Sequence, residues 1–259
     1  MHAPARFATP RAVTALMLRE MSTRYGRSPG GFLWAALEPL GAVIILAVAF
    51  SLLLPAPSLG VSFLLFYMTG FLPFTVYQNV SLYVSRAINF SRPLLRYPAV
   101  TWVDAVLARF VLNGLTGLVV AYLLLAGTLA LTDNRAVLDL PPILTAFALA
   151  LLLGFGIGVL NCALIGLIAS YELIWSILTR PLFLASGVIF IFEDLPRLLQ
   201  DILWWNPLMH VAGFMRMGVY PSYRPDYLSS VYAVGVGLTA LVLGLILLGR
   251  YHRDILNFR

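Results

Sequence analysis

Glu172, Trp175, Ser176, Thr179, Phe183, Ser186 and Phe190 recur at helical spacing inside an apolar run, with Arg180 at the edge of their face. Leu173, Ile177, Leu182, Leu184 and Ile189 cover the rest of the same helix. An ionisable group in hydrocarbon is expensive, so Glu172 and Arg180 mark a candidate site. A second run repeats the pattern: Phe63, Phe66, Tyr67, Phe71, Phe74 and Tyr77 share a face that Gln78, Ser81 and Ser85 continue. Rings alone could face lipid. Gln78 and Ser81 could not, because an unsatisfied polar group in hydrocarbon costs several kcal/mol. Ring faces pack on pyranose C–H surfaces and hydroxyls exchange hydrogen bonds with sugar hydroxyls, so both faces suit a sugar path. Packing between helices also uses Ser and Thr, and that plainer reading stays open.

A third face, Trp34, Glu38, Gly41, Ala42, Ile45 and Ala49, is mostly small and reads as a close-packing surface between helices or subunits. Its Trp34 and Glu38 complete the candidate path. Gly154 and Gly158 form a GxxxG pair, a signal of packing. Other chemistry is missing. No phosphate-binding loop of the GxxxxGK[ST] type occurs, so no ATP is expected on this chain. His2, His210 and His252 are scattered, which argues against a metal site, and no Gly-x-Ser-x-Gly elbow is present. The single cysteine, Cys162, lies in an apolar run and reads as a small core residue.

The elements that must carry these faces follow from composition. The chain has 259 residues, 61% hydrophobic and 11% charged, against roughly 25% charged in soluble domains. So few charges cannot clothe a water-facing surface, and an integral membrane protein is expected. A span needs about 20 mainly apolar residues. The qualifying runs are Phe32–Leu54, Ser62–Val84, Val103–Leu131, Ile143–Ser170, Leu173–Phe192 and Leu228–Gly249. Leu40–Leu54 resembles the core of a signal peptide, but the stretch before it is too long.

All the positive charge is arginine, and its placement reads as topological, not as a nucleic-acid surface. Arg6, Arg11, Arg19, Arg24, Arg27, Arg86, Arg92, Arg96, Arg250, Arg253 and Arg259 fall on one side of the expected spans. The Pro55–Val61 turn, the acidic Asp133–Asp139 loop and the balanced Glu193–Asp226 segment fall on the other. Both termini are therefore expected in the cytoplasm. No internal repeat is visible, which argues mildly against a secondary transporter.

Three segments are not spans. Thr9–Ser28 puts Val13, Leu16, Met17 and Met21 on one face and Arg11, Arg19 and Ser22 opposite, the pattern of a helix in the headgroup plane. Glu20 and Arg24 fall on the apolar face at i,i+4 spacing, to pair with each other or with a partner protein. Ser85–Pro98 mixes arginines with Phe90, Leu94, Leu95 and Tyr97, so it either docks on a protein or lies on lipid. Glu193–Asp226 reads as two short helices broken at Asn206-Pro207 and dipping into the outer leaflet, with Trp204 and Trp205 at the interface. The expected architecture is an all-α membrane protein: residues 1–31 as tail and interfacial helix, 32–250 as a six-span domain, and 251–259 as a cytoplasmic tail. Within the domain, 85–98 is a cytoplasmic loop and 193–226 a periplasmic re-entrant segment.

Leu18–Leu40, with Arg24-Tyr25, Gly31, Trp34 and Glu38-Pro39, resembles the opening of type-two ABC exporter permeases for polysaccharides. Leu195–Tyr220, with Leu195-Pro196, Asn206-Pro207-Leu208 and Arg216, resembles the tail signature of the same family. The likeness covers essentially the whole chain and is nearest to the capsular polysaccharide, KpsM-type branch, with O-antigen permeases close by. The resemblance implies a homodimer with two separate ATP-binding subunits, which would hold the ATP and magnesium. It also implies a lipid-linked polysaccharide cargo, a periplasmic co-polymerase and an outer-membrane export channel, in a bacterial inner-membrane setting. Ser85–Pro98 would be the coupling element, through Arg86, Phe90, Arg92, Leu95, Arg96 and Tyr97. Arg24, Arg27 and Arg180 would attract an anionic polymer, with Glu20 beside the interfacial entry. An ion-coupled transporter using Glu172 and Arg180 as its coupling pair remains the alternative from another class, and a membrane scaffold without a path a third.

Overall fold

In the computed structural model, residues 8–25, 30–95, 100–131, 138–168 and 170–257 are described, and they contain helices but no strand. In chain order the α-helices are α1 (Ala8–Tyr25), α2 (Gly31–Ser51), α3 (Phe63–Ser85), α4 (Ala87–Ser91), α5 (Trp102–Leu131), α6 (Leu140–Leu167), α7 (Tyr171–Ala185), α8 (Arg197–Leu203), α9 (Pro207–Val219) and α10 (Ser230–Asn257). Four are long and apolar enough to cross a membrane by length and composition: α2 from Leu33, α5, α6 and α10. α3 has 23 residues, about 34 Å at 1.5 Å per residue, but Thr, Tyr, Gln, Asn and Ser lower its apolar character.

α3 forms the centre, packed on α2, α5, α6 and α9, while α6 lies between α3 and α10. Small residues allow the close approach. On α6, Gly154 and Gly158 back onto Val80 and Val84 of α3, while Gly156 meets the Gly237 carbonyl of α10. The GxxxG pair is thus one half of a two-sided seam. At the start of α5, Thr101 and Asp104 form a reciprocal cap: Asp104 Oδ2 accepts from the Thr101 backbone N–H at 2.8 Å, and Thr101 Oγ1 accepts from the Asp104 N–H at 3.2 Å.

The run expected as a span over Leu173–Phe192 is shorter in the structure. α7 has 15 residues, about 22 Å against the roughly 30 Å hydrocarbon thickness. Gly187 at φ 69° turns the chain away, a conformation a side chain would oppose. The carbonyls freed there are taken up from α9 and the residue before it. Asn206 Nδ2 donates to the Ala185 oxygen at 2.8 Å, and Arg216 donates to the oxygens of Val188 at 3.1 Å and Phe190 at 2.7 Å. Asn206 also caps α9, accepting from the Leu208 N–H at 3.1 Å.

Two short helices, α8 and α9, occupy the Glu193–Asp226 segment on either side of Asn206-Pro207. Beyond α9, Tyr223 donates to Glu193 Oε2 at 2.9 Å, and burial raises its phenol above the ordinary range, so it remains the donor. Residues 251–257, placed in a tail from the sequence, continue α10 to Asn257.

The apolar face of α1 is partly covered by protein. Leu16 packs with Ala105 and Ala108 of α5, joined by Val13, Met17, Leu94, Leu95 and Val100. The reason is visible in the partner: the start of α5 offers alanines where α1 offers larger side chains, so the two surfaces interlock.

Candidate functional site

The polar and aromatic faces of α3 and α7 meet. Phe183 of α7 sits edge-on to Phe71 and Phe74 of α3, with ring centroids 6.0 and 5.4 Å apart, the geometry that aromatic quadrupoles favour. From this aromatic end a groove of about 120 Å³ runs between the helices. Its walls are Phe74, Tyr77, Gln78, Ser81 and Ser85 of α3, Glu172, Trp175, Ser176, Thr179 and Leu182 of α7, and Ile165 of α6. Arg86 and Glu172 stand at its far end, paired at 3.0 Å. Tyr171 fixes the start of α7 by donating to Asn161 Oδ1 at 2.8 Å and stacking on Trp175.

Other residues singled out from the sequence lie elsewhere. Glu38 lines a separate cavity of about 260 Å³ between α2, α3 and α5, with Asn79, Asn113 and Thr116. Phe71 lines that second cavity and not the groove wall, whereas Gln78 borders both and stands between the two. Trp34 lines neither cavity and is 63% exposed, and Arg180 is exposed outside the groove. Ser186 is buried, donates to the Leu182 carbonyl and accepts from Asn206, so it belongs to the end of α7. Phe190 offers its carbonyl to Arg216 in that same turn. Ser186 and Phe190 are absent from the groove wall because the helix that would have aligned them ends at Ala185.

Glu20 is buried and pairs at 3.2 Å with Arg109 of α5, a residue that spacing along the sequence does not single out. An arginine inside the apolar run Val103–Leu131 is the available signal, by the same rule that picks out Glu172. The Arg109 guanidinium covers the Phe90 ring at 4.1 Å, Arg19 approaches that ring at 5.4 Å, and Arg109 donates to the Tyr83 carbonyl at 2.8 Å. Arg92 donates to the carbonyls of Ile255 and Leu256, at 3.1 and 2.9 Å, and so caps the end of α10. Leu95 is half-buried against apolar clusters of α5 and α10. The side chain of Arg24, and residues Arg27, Arg96 and Tyr97, lie outside the described residues.

The pattern of the ABC-2 type transporter family matches residues 11–220. The chain belongs to that family. Among its ABC-2 relatives is the polysialic acid transport protein KpsM of Escherichia coli, 29% identical over 235 residues that cover 91% of each chain. The capsule polysaccharide export inner-membrane protein BexB of Haemophilus influenzae is 28% identical over 246 residues, covering 95% of this chain and 92% of its own. CtrC of Neisseria meningitidis, of the same description, is 26% identical over 245 residues with the same coverage. ABC-2 membership and the four long apolar helices together make this a multi-pass membrane protein. The matched region takes in both α3 and α7, and hence the whole groove between them.

Proposed function

We propose that this chain is the membrane permease of an ATP-driven exporter that passes capsular polysaccharide outward across the bacterial inner membrane. The observation that carries the reading is the groove between α3 and α7, where rings, hydroxyls, an amide and a carboxylate line a route along the edge of an apolar bundle. Such a lining is costly against lipid and useful around a hydrated sugar chain. The relatives' names supply the cargo class.

On this reading α3 joins the four long apolar helices, and the short α7 completes a sixth crossing together with the turn over residues 186–192, with α8 and α9 dipping into the outer leaflet. Both termini lie in the cytoplasm. In support, arginine-bearing segments gather at one end, where Arg92 caps α10 and Arg19 lies over Phe90. α4 and its flanks are the coupling element for a separate ATPase, which binds the ATP and magnesium. The uncovered small-residue face of α2, open at Gly41, receives a second copy of the chain. A periplasmic co-polymerase and an outer-membrane channel continue the route, and the cargo is lipid-linked.

The test is deletion. Loss of the gene should leave finished polymer inside the cytoplasm, with surface capsule restored by the wild-type chain. Normal surface capsule in the deletion strain overturns the proposal.

A further inference from the structure

Two ion pairs border one cavity at the arginine-rich end of the molecule, and their surroundings differ sharply. The cavity is lined by Glu20, Arg109, Arg86, Glu172, Asn89 and Phe90, among others. Glu20 and Arg109 are 5% and 6% exposed, whereas Glu172 and Arg86 are 47% and 52% exposed. Removing one member of a buried pair strands a charge away from water, so that pair acts as a fixed strut. An exposed pair is weak, because water solvates either partner once they separate.

Arg86 and Glu172 also line the groove between α3 and α7. The weak pair therefore lies where the groove meets this outer cavity. Arg86 is in addition the residue between α3 and α4, at the N-cap position of α4 with its side chain free of any capping bond. Phe90 of α4 is held under Arg109, so α4 is tied to the strut while its first turn adjoins the weak pair. A shift of α4 and the strut against α7 therefore falls on the Arg86–Glu172 contact.

We infer that the Arg86–Glu172 pair is a latch across the mouth of the α3–α7 groove, released when α4 and the helices tied to it by the strut shift together against α7. This deepens the proposed export function by naming the contact that couples the loop to the route. The strut holds α1, α4 and α5 together through the cycle, and the latch alone opens.

The experiment uses the full chain in lipid nanodiscs, with the buried native thiol removed by Cys162→Ala and a single cysteine at Thr179 in the groove wall. The rate of labelling by a water-soluble maleimide reads groove access. Glu172→Gln and Arg86→Gln should each raise that rate, by about two- to fivefold for the loss of a weak exposed pair. The exchanged pair, Arg86→Glu with Glu172→Arg, should bring it back to the starting value. A cysteine at Ile177, on the opposite face of α7, should label at one rate in every background. Unchanged Thr179→Cys labelling in both single variants overturns the latch. A rise shared by Ile177→Cys also overturns it, since that reports general loosening. If the exchanged pair misfolds, agreement between the two single variants decides. Export is scored separately with Thr179→Trp. Blocked export with unchanged labelling removes the latch and leaves the route, while normal export removes the route whatever the labelling.

Discussion

Glu20 of α1 and Arg109 of α5 face each other at 3.2 Å with almost no exposure, joining the amino-terminal helix to a long apolar helix. Arg109 carries the Phe90 ring on its guanidinium, and its N–H reaches the Tyr83 carbonyl of α3. One arginine thus fixes four helices in register. A buried charge of this kind keeps its place only while its counter-ion remains.

Glu20→Ala is expected to destabilise the protein by about 3–5 kcal/mol, because Arg109 is left buried and unpaired. Glu172→Ala should cost about 0–1 kcal/mol, because its partner Arg86 is half exposed at the arginine-rich end. Thermal unfolding of both variants in the same detergent makes the comparison. Equal losses would contradict the distinction between strut and latch.

Gly70→Ala is a second test of packing. A methyl group there would stand 2.8 Å from Val188 Cα and 3.0 Å from its carbonyl oxygen. Both atoms belong to the turn after α7, and Arg216 pins that carbonyl. Overpacking against fixed backbone costs about 1–3 kcal/mol, and a clear fall in melting temperature is expected. A variant as stable as wild type would mean that the turn gives way freely.

The stripes on α3 and α7 are legible because polar and aromatic residues at helical spacing stand out in an apolar run, and Phe71, Phe74 and Phe183 do meet. The end of α7 is not legible. The unbroken apolar run from Val188 to Ile191 reads as more span, whereas the positive φ of Gly187 and the long-range bonds from Asn206 and Arg216 make a turn. Spacing alone offers Glu20 a local i,i+4 partner, because it displays neighbours on one helix and hides Arg109 on another. The face of α1 escapes for the same reason: amphipathicity reports that a face is covered, and lipid or α5 would serve equally.

Arg216→Lys should not behave as a conservative change. The guanidinium reaches two carbonyls with two separate nitrogens and lies 4.5 Å from the Phe66 ring centroid. A lysine ammonium lacks that planar fork. One carbonyl would be left without its donor, a cost of about 1–3 kcal/mol. The check is again thermal unfolding, and a lysine variant within about 0.5 kcal/mol of wild type would show that the fork is dispensable.

Filling the groove tests the route itself. Thr179 lies on its wall and Ile177 on the far side of the same helix, 56% exposed. Thr179→Trp places a large ring between α3 and α7, where Trp175 and Phe74 already stand. A ring that raises the barrier to cargo passage by about 1–3 kcal/mol slows export roughly five- to over a hundredfold. Ile177→Trp adds the same bulk where no wall opposes it, so export should stay near wild type. The measurement is surface polysaccharide per cell, normalised to the amount of permease in the membrane. That normalisation separates a blocked route from a misfolded chain. A Thr179→Trp strain with full surface polymer would show that cargo passes elsewhere, and the polar lining of α3 and α7 would then be packing alone.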